Sequence, residues 1–304
     1  MMRKFLAMGA ALLALAAPPA ALAQDRVTLG WGQMMTNDSI GDAHDRWRTG
    51  SHVVSLVRGP HWSGALPSRP GEILEFRFRA EAVAPESLSF VPPGDRRYAG
   101  VLSLGLHSHF ETAGWETSLG ADLVLIGPQT HVSEVQKAIH DLLGFADPVV
   151  AASQIGNAAY PTLVFETGRS LAFAGGRIRP FVEAQAGLET LVRAGFDLSF
   201  GRYGEGALML RDQTSGQRYR AVAGALRPGF SLSLGGDIAR VFDSALLPEG
   251  EQAVLSDTRS RLRAGIAWQG ERASVFYGLT WLGKEFDSQR DGQLVGSLSL
   301  RLAF

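Results

Sequence analysis

The chain of 304 residues contains no cysteine, which excludes a disulfide framework, a thiolate metal site and a cysteine nucleophile. Charge of one sign is missing too. Its 29 Lys and Arg stand against 30 Asp and Glu, so no basic excess marks a nucleic-acid partner. Beyond the N-terminus no run of about 20 apolar residues occurs, which excludes a polytopic helical membrane protein. A membrane β-barrel stays allowed, because its strands alternate apolar and polar residues instead of running apolar throughout. A Gly-x-Ser-x-Gly elbow, the mark of many serine esterases, is also lacking.

What is present begins with a processing signal. Arg3 and Lys4 precede an uncharged apolar stretch from Phe5 to Ala17, and Ala21-Leu22-Ala23 makes a small-x-small cleavage signature before Gln24. Pro18 and Pro19 interrupt the apolar run, so it reads as a cleaved secretory signal peptide over 1–23 and not as an anchor. The mature chain, 24–304, is then one domain with three more acidic than basic side chains.

That domain alternates with a period of two. Leu298, Leu300, Leu302 and Phe304 share one face of a strand, and Ser297, Ser299, Arg301 and Ala303 share the other. In Arg261 to Trp268 and in Ala273 to Leu282 the pattern recurs, with Gln269-Gly270-Glu271 suited to a tight turn between them. A soluble β-sandwich would also alternate. Against it stand aromatic strand ends (Trp268, Trp281, Phe304), opposite faces of Gly, Ser and Arg, and strands of about ten residues.

The expected fold class is therefore all-β, an antiparallel transmembrane β-barrel with a short α-helix in an extracellular loop. Twelve strands are expected, near 26–35, 48–57, 72–80, 98–109, 114–127, 158–170, 177–188, 190–201, 217–238, 258–269, 271–283 and 293–304. Twelve is even, as a closed antiparallel bacterial barrel requires. Arg227-Pro228-Gly229 is either a bulge in one strand or a turn between two. The terminal Phe304 resembles the C-terminal signal that the outer-membrane barrel-assembly machinery recognises. With both ends of the barrel chain periplasmic, the connections 36–47, 81–97, 128–157, 239–257 and 284–292 and a short turn near 189 face outward. Two long segments, 58–71 and 202–216, are left on the opposite side.

Residues 128–145 break the strand pattern. Pro128 stops a strand, and Val132, Val135, Ile139, Leu142 and Leu143 recur at helical spacing up to Gly144. Thr130 or Ser133 is the expected cap, with Glu134 in the first turn. Gln136 and His140 stand four apart, one turn from each other on one face. A histidine on a surface helix is more often a packing residue than a reactive one. Thr36-Asn37-Asp38-Ser39 and Asp95-Arg96-Arg97-Tyr98-Ala99-Gly100 fall at the same rim, where such residues are most often ordinary turn chemistry. Of the remaining histidines, His107 and His109 share a strand face and read as lumen residues near the periplasmic end, and His44 lies in the first outer loop.

These segments together resemble the outer-membrane lipid A 3'-O-deacylase family: Asn37-Asp38-Ser39, Asp45-Arg46-Trp47-Arg48-Thr49-Gly50, Asp95 to Gly100, and Gly127-Pro128 with Gln136 and His140. A fainter match is Gln154 to Asn157. The resemblance implies a twelve-stranded barrel that removes 3'-linked acyl chains of lipid A by Ca²⁺-dependent hydrolysis, in a manner similar to a secreted phospholipase A2. It implies His140 as general base with Gln136 beside it, Asn37 and Asp38 as the metal and oxyanion region, Thr49 in support, and Arg96 as the basic residue facing substrate phosphate or the oxyanion. Helix 131–143 would cover the site at the extracellular rim. Imidazole, with an ordinary pKa of about 6.5, can take a proton from water near neutral pH, and a cation beside the developing charge lowers the barrier further. The competing functions are a non-enzymatic barrel, as a small pore or scaffold, and an outer-membrane phospholipase.

Overall fold

Strand structure forms almost wherever the sequence alternates. The computed structural model describes residues 26–224, 228–270 and 272–302; the expected signal peptide, Arg227, Glu271 and the terminal Phe304 lie outside them. In chain order the strands are β1 (Val27–Asn37), β2 (Trp47–Gly59), β3 (Ile73–Ala84), β4 (Ala99–Thr112), β5 (Trp115–Ile126), β6 (Ala158–Gly168), β7 (Leu171–Phe173) and β8 (Gly176–Ala186). They continue with β9 (Glu189–Phe200), β10 (Leu208–Arg211), β11 (Arg218–Val222), β12 (Gly229–Ser244), β13 (Thr258–Gln269), β14 (Ala273–Leu282) and β15 (Gln293–Leu302).

β1 pairs with β15 and β6 pairs with β8, so twelve strands close into an antiparallel barrel without a free edge. β7 is a short extension paired only with β8, and β10 and β11 pair only with each other. The two-residue period sorts the side chains. Along β3, Glu75, Arg77, Arg79 and Glu81 are buried, whereas Phe76 and Phe78 between them are exposed on the outer wall. Burying charge and exposing phenylalanine is the inverse of a water-soluble barrel and is what lipid around the wall selects.

One expectation fails. The segment 202–216 is not a plain connecting loop, and 217–238 is not one strand. β10 and β11 form a hairpin folded into the lumen, and the wall strand β12 starts only at Gly229. The apolar residues of the hairpin, Leu208, Leu210, Tyr219 and Ala221, pack against Met34, Val53 and Phe276 of the wall. Its polar residues meet the charged inner face. Arg211 lies 2.7 Å from both Glu166 and Asp197, and the Tyr219 hydroxyl is 2.9 Å from Ser55. The close approach needs glycine. A Cβ on Gly30 or Gly32 would stand 2.4 Å from the carbonyl oxygen of Ala221 or Arg220. Period two cannot distinguish a strand in the wall from a strand inside it, because both alternate.

Five connections gather at one end. There the loops between β1 and β2, β3 and β4, β5 and β6, β9's partner β12 and β13, and β14 and β15 meet over a lumen filled with ion pairs. Arg48 reaches Glu285 at 2.7 Å, Glu81 at 3.0 Å and Glu189 at 3.5 Å. The hairpin tip joins them, Thr214 donating to Glu81 at 3.1 Å. His107 and His109 are lumen residues, on Asp122 at 2.9 Å and Glu75 at 2.8 Å.

Candidate active site

On the outer wall the side chains shrink toward the loop end. The β3 row runs from Phe76 and Phe78 to Ala80, Ala82 and Ala84, and the facing position on β4 is Gly100, paired with Ala82. Ala82 and Ala84 are buried although their row points away from the lumen. They are covered from outside, in a cluster with Tyr98, Leu88 and Val150, onto which Val132 packs. Gly100 has no room for a side chain, since its Cβ would meet the Thr130 hydroxyl at 2.5 Å and Val132 at 3.0 Å. Small residues thus make a seat for the loop helix on the outside of the wall.

That helix is α1 (Val132–Leu143), preceded by a 3-10 turn, Pro128–Thr130, and ended by Gly144 in the left-handed conformation. His131, not Thr130 or Ser133, occupies the N-cap position, at φ 54° with its ring on Glu134 at 2.6 Å, and the Thr130 hydroxyl beside it donates to Gly127 O at 2.8 Å and accepts from Val132 N at 3.4 Å. Only Gln136 and His140 are buried on α1, while Val135, Ile139, Leu142 and Leu143 are exposed. Ordinarily burying each such apolar side chain stabilises a fold by about 1.5–3 kcal/mol. Here the wall contact is given to the polar pair.

The polar pair sits in a built environment. His140 Nδ1 lies 2.6 Å from the carbonyl oxygen of Ala146. A carbonyl only accepts, so Nδ1 is the donor of this bond. Nε2 faces Asp45 Oδ2 at 3.2 Å and Gln136 Nε2 at 3.5 Å. The Tyr98 hydroxyl donates to Gln136 Oε1 at 2.8 Å, which turns the amide nitrogen toward the imidazole. Phe145 closes one side, edge-on to the His140 ring at 5.7 Å. Across from the helix, the Thr49 hydroxyl donates to Asp45 Oδ1, and Thr49 is the bulged residue where the β2–β3 register shifts between Arg48 and Gly50.

Asp38 is buried at the end of β1, its Oδ2 accepting from Arg46 N at 2.9 Å and Gln293 Nε2 at 3.4 Å. Burial, and next the nearby Asp45 charge, push its carboxyl up to about 8, partly offset by the Arg46 amide. Asn37 is turned to its own loop. Its Oδ1 accepts from the backbone and hydroxyl of Ser39, and its Nδ2 packs over Gly50.

The expected site residues therefore divide. His140, Gln136, Thr49 and Asp38 come together around Asp45, Asn37 lies at the edge with its oxygen engaged, and Arg96 is elsewhere. Its buried guanidinium points into the lumen, bonded to Glu285 and to Leu246 O at 3.3 Å. His44 is exposed, its Nδ1 on Asp42 O at 2.8 Å. Two residues that bind the site together, Asp45 and Tyr98, were not singled out from sequence, although both lie in the ordered segments that carry the family resemblance.

For a hard cation the donor chemistry fits in kind. Two carboxylates, Asp38 and Asp45, crowd each other without an arginine or lysine bonded to Asp45, and the strain on Asp38 is what a positive ion would relieve. Among the described residues no group of three or more His, Asp or Glu is gathered for a metal, so further ligands would be backbone oxygens or water.

Comparison with known proteins identifies the family. The family model described as "Outer membrane protein LpxR" matches residues 6–304. Among solved structures the chain is similar to LpxR from Salmonella typhimurium, with TM-score 0.74 and 19% identity over 90% of this chain and all of that one. It is similar to a lesser degree to the β domain of the Bordetella autotransporter BrkA, with TM-score 0.45 and 9% identity over 90% of this chain and 99% of that one. No curated protein sequence matches.

Proposed function

Because the chain belongs to the LpxR family of outer-membrane proteins, we propose that it is a lipid A 3'-O-deacylase, with His140 as the base that activates water and the cleft outside the barrel wall, at the extracellular rim, as its active site. The carrying observation is the orientation of His140. Its Nδ1 is anchored on Ala146 O, so its Nε2 is aimed at Asp45 and Gln136. An ester held in the cleft has its acyl carbon beside a water bound to Nε2. His140 takes the proton of that water as it adds to the carbonyl, and returns a proton to the departing sugar hydroxyl. The Gln136 amide, oriented by Tyr98, holds the water or imidazole in line.

Asp38 and Asp45 would hold Ca²⁺ with Asn37 at the edge, and the bound ion would stabilise negative charge growing on the ester oxygen. Arg96, sealed in the lumen on Glu285, supports that rim without touching the cleft. No serine or cysteine nucleophile is needed. A pore function is opposed by the hairpin that folds into the lumen and packs against its wall.

The test is mass spectrometry of lipid A after incubation with the wild-type barrel and with His140→Ala, each with Ca²⁺ and with chelator. Loss of the 3'-acyl mass by wild type with Ca²⁺ alone is expected, the variant slower by at least about 10²-fold. No mass change from a folded wild type would overturn the deacylase, and release of fatty acid from glycerophospholipid in its place would make it a phospholipase.

A further inference from the structure

Three faces of α1 carry three chemistries. At 3.6 residues per turn, the Gln136–His140 face, the Val135–Ile139–Leu142 face and the Glu134–Lys137–Asp141 face lie roughly a third of a turn apart. The first is buried against the wall. The second is open, Val135 being 59%, Ile139 49% and Leu142 83% exposed. The third is ion-paired in solvent, with Lys137 at 3.2 Å from Asp141 and 2.6 Å from Asp147. With one face fixed on the wall, the other two must point along the wall in opposite senses.

The wall supplies the partner for the apolar face. The helix seat at Ala82, Ala84 and Gly100 continues the same outward rows that carry exposed Phe76, Phe78 and Leu104. From Phe78 to Ala82 is four residues, about 13 Å of strand. The open stripe is therefore an extension of the lipid-facing belt, and Phe145 and Val149, exposed just after the helix, widen it. A stripe of large apolar side chains opposite a charged face is the pattern of a helix lying in a membrane interface.

We propose that α1 is an interfacial helix whose Val135–Ile139–Leu142 stripe lies among the acyl chains of the outer leaflet, with Lys137 and Asp141 toward water. The cleft under His140 then opens sideways to lipid. The inference stands on the barrel's place in the outer membrane and not on the reaction.

The absence of cysteine makes the test direct. Leu142→Cys and Lys137→Cys are labelled with an environment-sensitive fluorophore in the full barrel, in phosphatidylcholine vesicles free of lipid A, so that no turnover enters the readout. A spin label near the top of the acyl chain is expected to quench the probe at 142 at least threefold more than the probe at 137, and aqueous iodide to do the reverse. Equal access of iodide to both positions overturns the proposal. So does shielding of 142 from both quenchers with self-quenching between labelled chains, which would assign the stripe to a second copy.

Discussion

Asp45 joins the two halves of the cleft, one oxygen on Thr49 of the wall and the other facing His140 of the helix. Asp45→Asn keeps an acceptor for Thr49 but removes the charge. Deacylation is expected to fall by about 10–100-fold, with a matching loss in Ca²⁺ affinity, because the residue sits beside both base and cation region. Unchanged Ca²⁺ dependence would remove Asp45 from the metal set. Tyr98→Phe deletes one hydrogen bond and leaves the packed ring. About 1 kcal/mol of orientation is lost, so kcat should fall roughly fivefold with KM unmoved. A loss as large as that of Gln136→Ala would show that the tyrosine does more than turn the amide. His140 and Gln136 were legible because i, i+4 spacing fixes a shared helix face. Asp45 was not, since its partner comes from a helix almost a hundred residues later, and sequence does not reveal which side of the wall a loop residue meets. Arg96 shows the same blindness. A rim arginine looks alike whether it faces substrate or, as here, the lumen carboxylate of Glu285.

At the scale of elements, the twelve wall strands were readable because lipid outside and charge inside impose a strict period of two. Two features escaped: the hairpin of β10 and β11, which alternates like the wall, and the rotation of α1, whose apolar stripe faces outward instead of packing. The loop between β14 and β15 shows how the rim is held. Burial alone would raise the Glu285 carboxyl, but Arg48, Arg259 and Arg96 outweigh it and hold it well below the usual carboxylate range. A depressed carboxylate stabilises the fold fully above its unfolded value near 4.5, and the contribution is lost as pH falls through the lower folded value. The Glu285 contribution to barrel stability is thus expected to be flat from neutral pH to about 5 and to decline below it. Glu285→Gln leaves three guanidiniums short of a partner, at a cost of about 3–5 kcal/mol near pH 7 and a flatter acid limb. Thermal unfolding followed by heat-modifiable gel mobility at pH 7 and pH 4 reads both. An equal acid limb in wild type and variant would mean that other carboxylates govern it.

For the whole molecule, the closed wall and the filled lumen separate two surfaces. The proposed site is outside the barrel wall, and the inside holds a plug whose apolar residues pack near β1 and β2 while Arg211 bridges Glu166 and Asp197. Twelve strands enclose enough room for water, so the hairpin and not barrel size decides conduction. Wild-type protein in a planar bilayer is expected to show no stable ionic current. Replacing residues 207–223 with a short flexible link should open one, though it also takes Arg211 from Glu166 and Asp197, which keep Arg179 and Arg263 at 2.7 Å. Gly32→Leu is the milder variant. Its Cβ would fall 2.4 Å from the Arg220 carbonyl oxygen, so the hairpin must shift while its charges remain. Current should then flicker, and the proposed outer site, linked to the plug through the Thr36 and Asp212 contact at 3.3 Å, should keep most of its turnover. Steady current from wild type would mean that the hairpin leaves the lumen in a membrane. Loss of turnover in Gly32→Leu with an intact barrel would mean that the plug also supports β1 beneath Asp38.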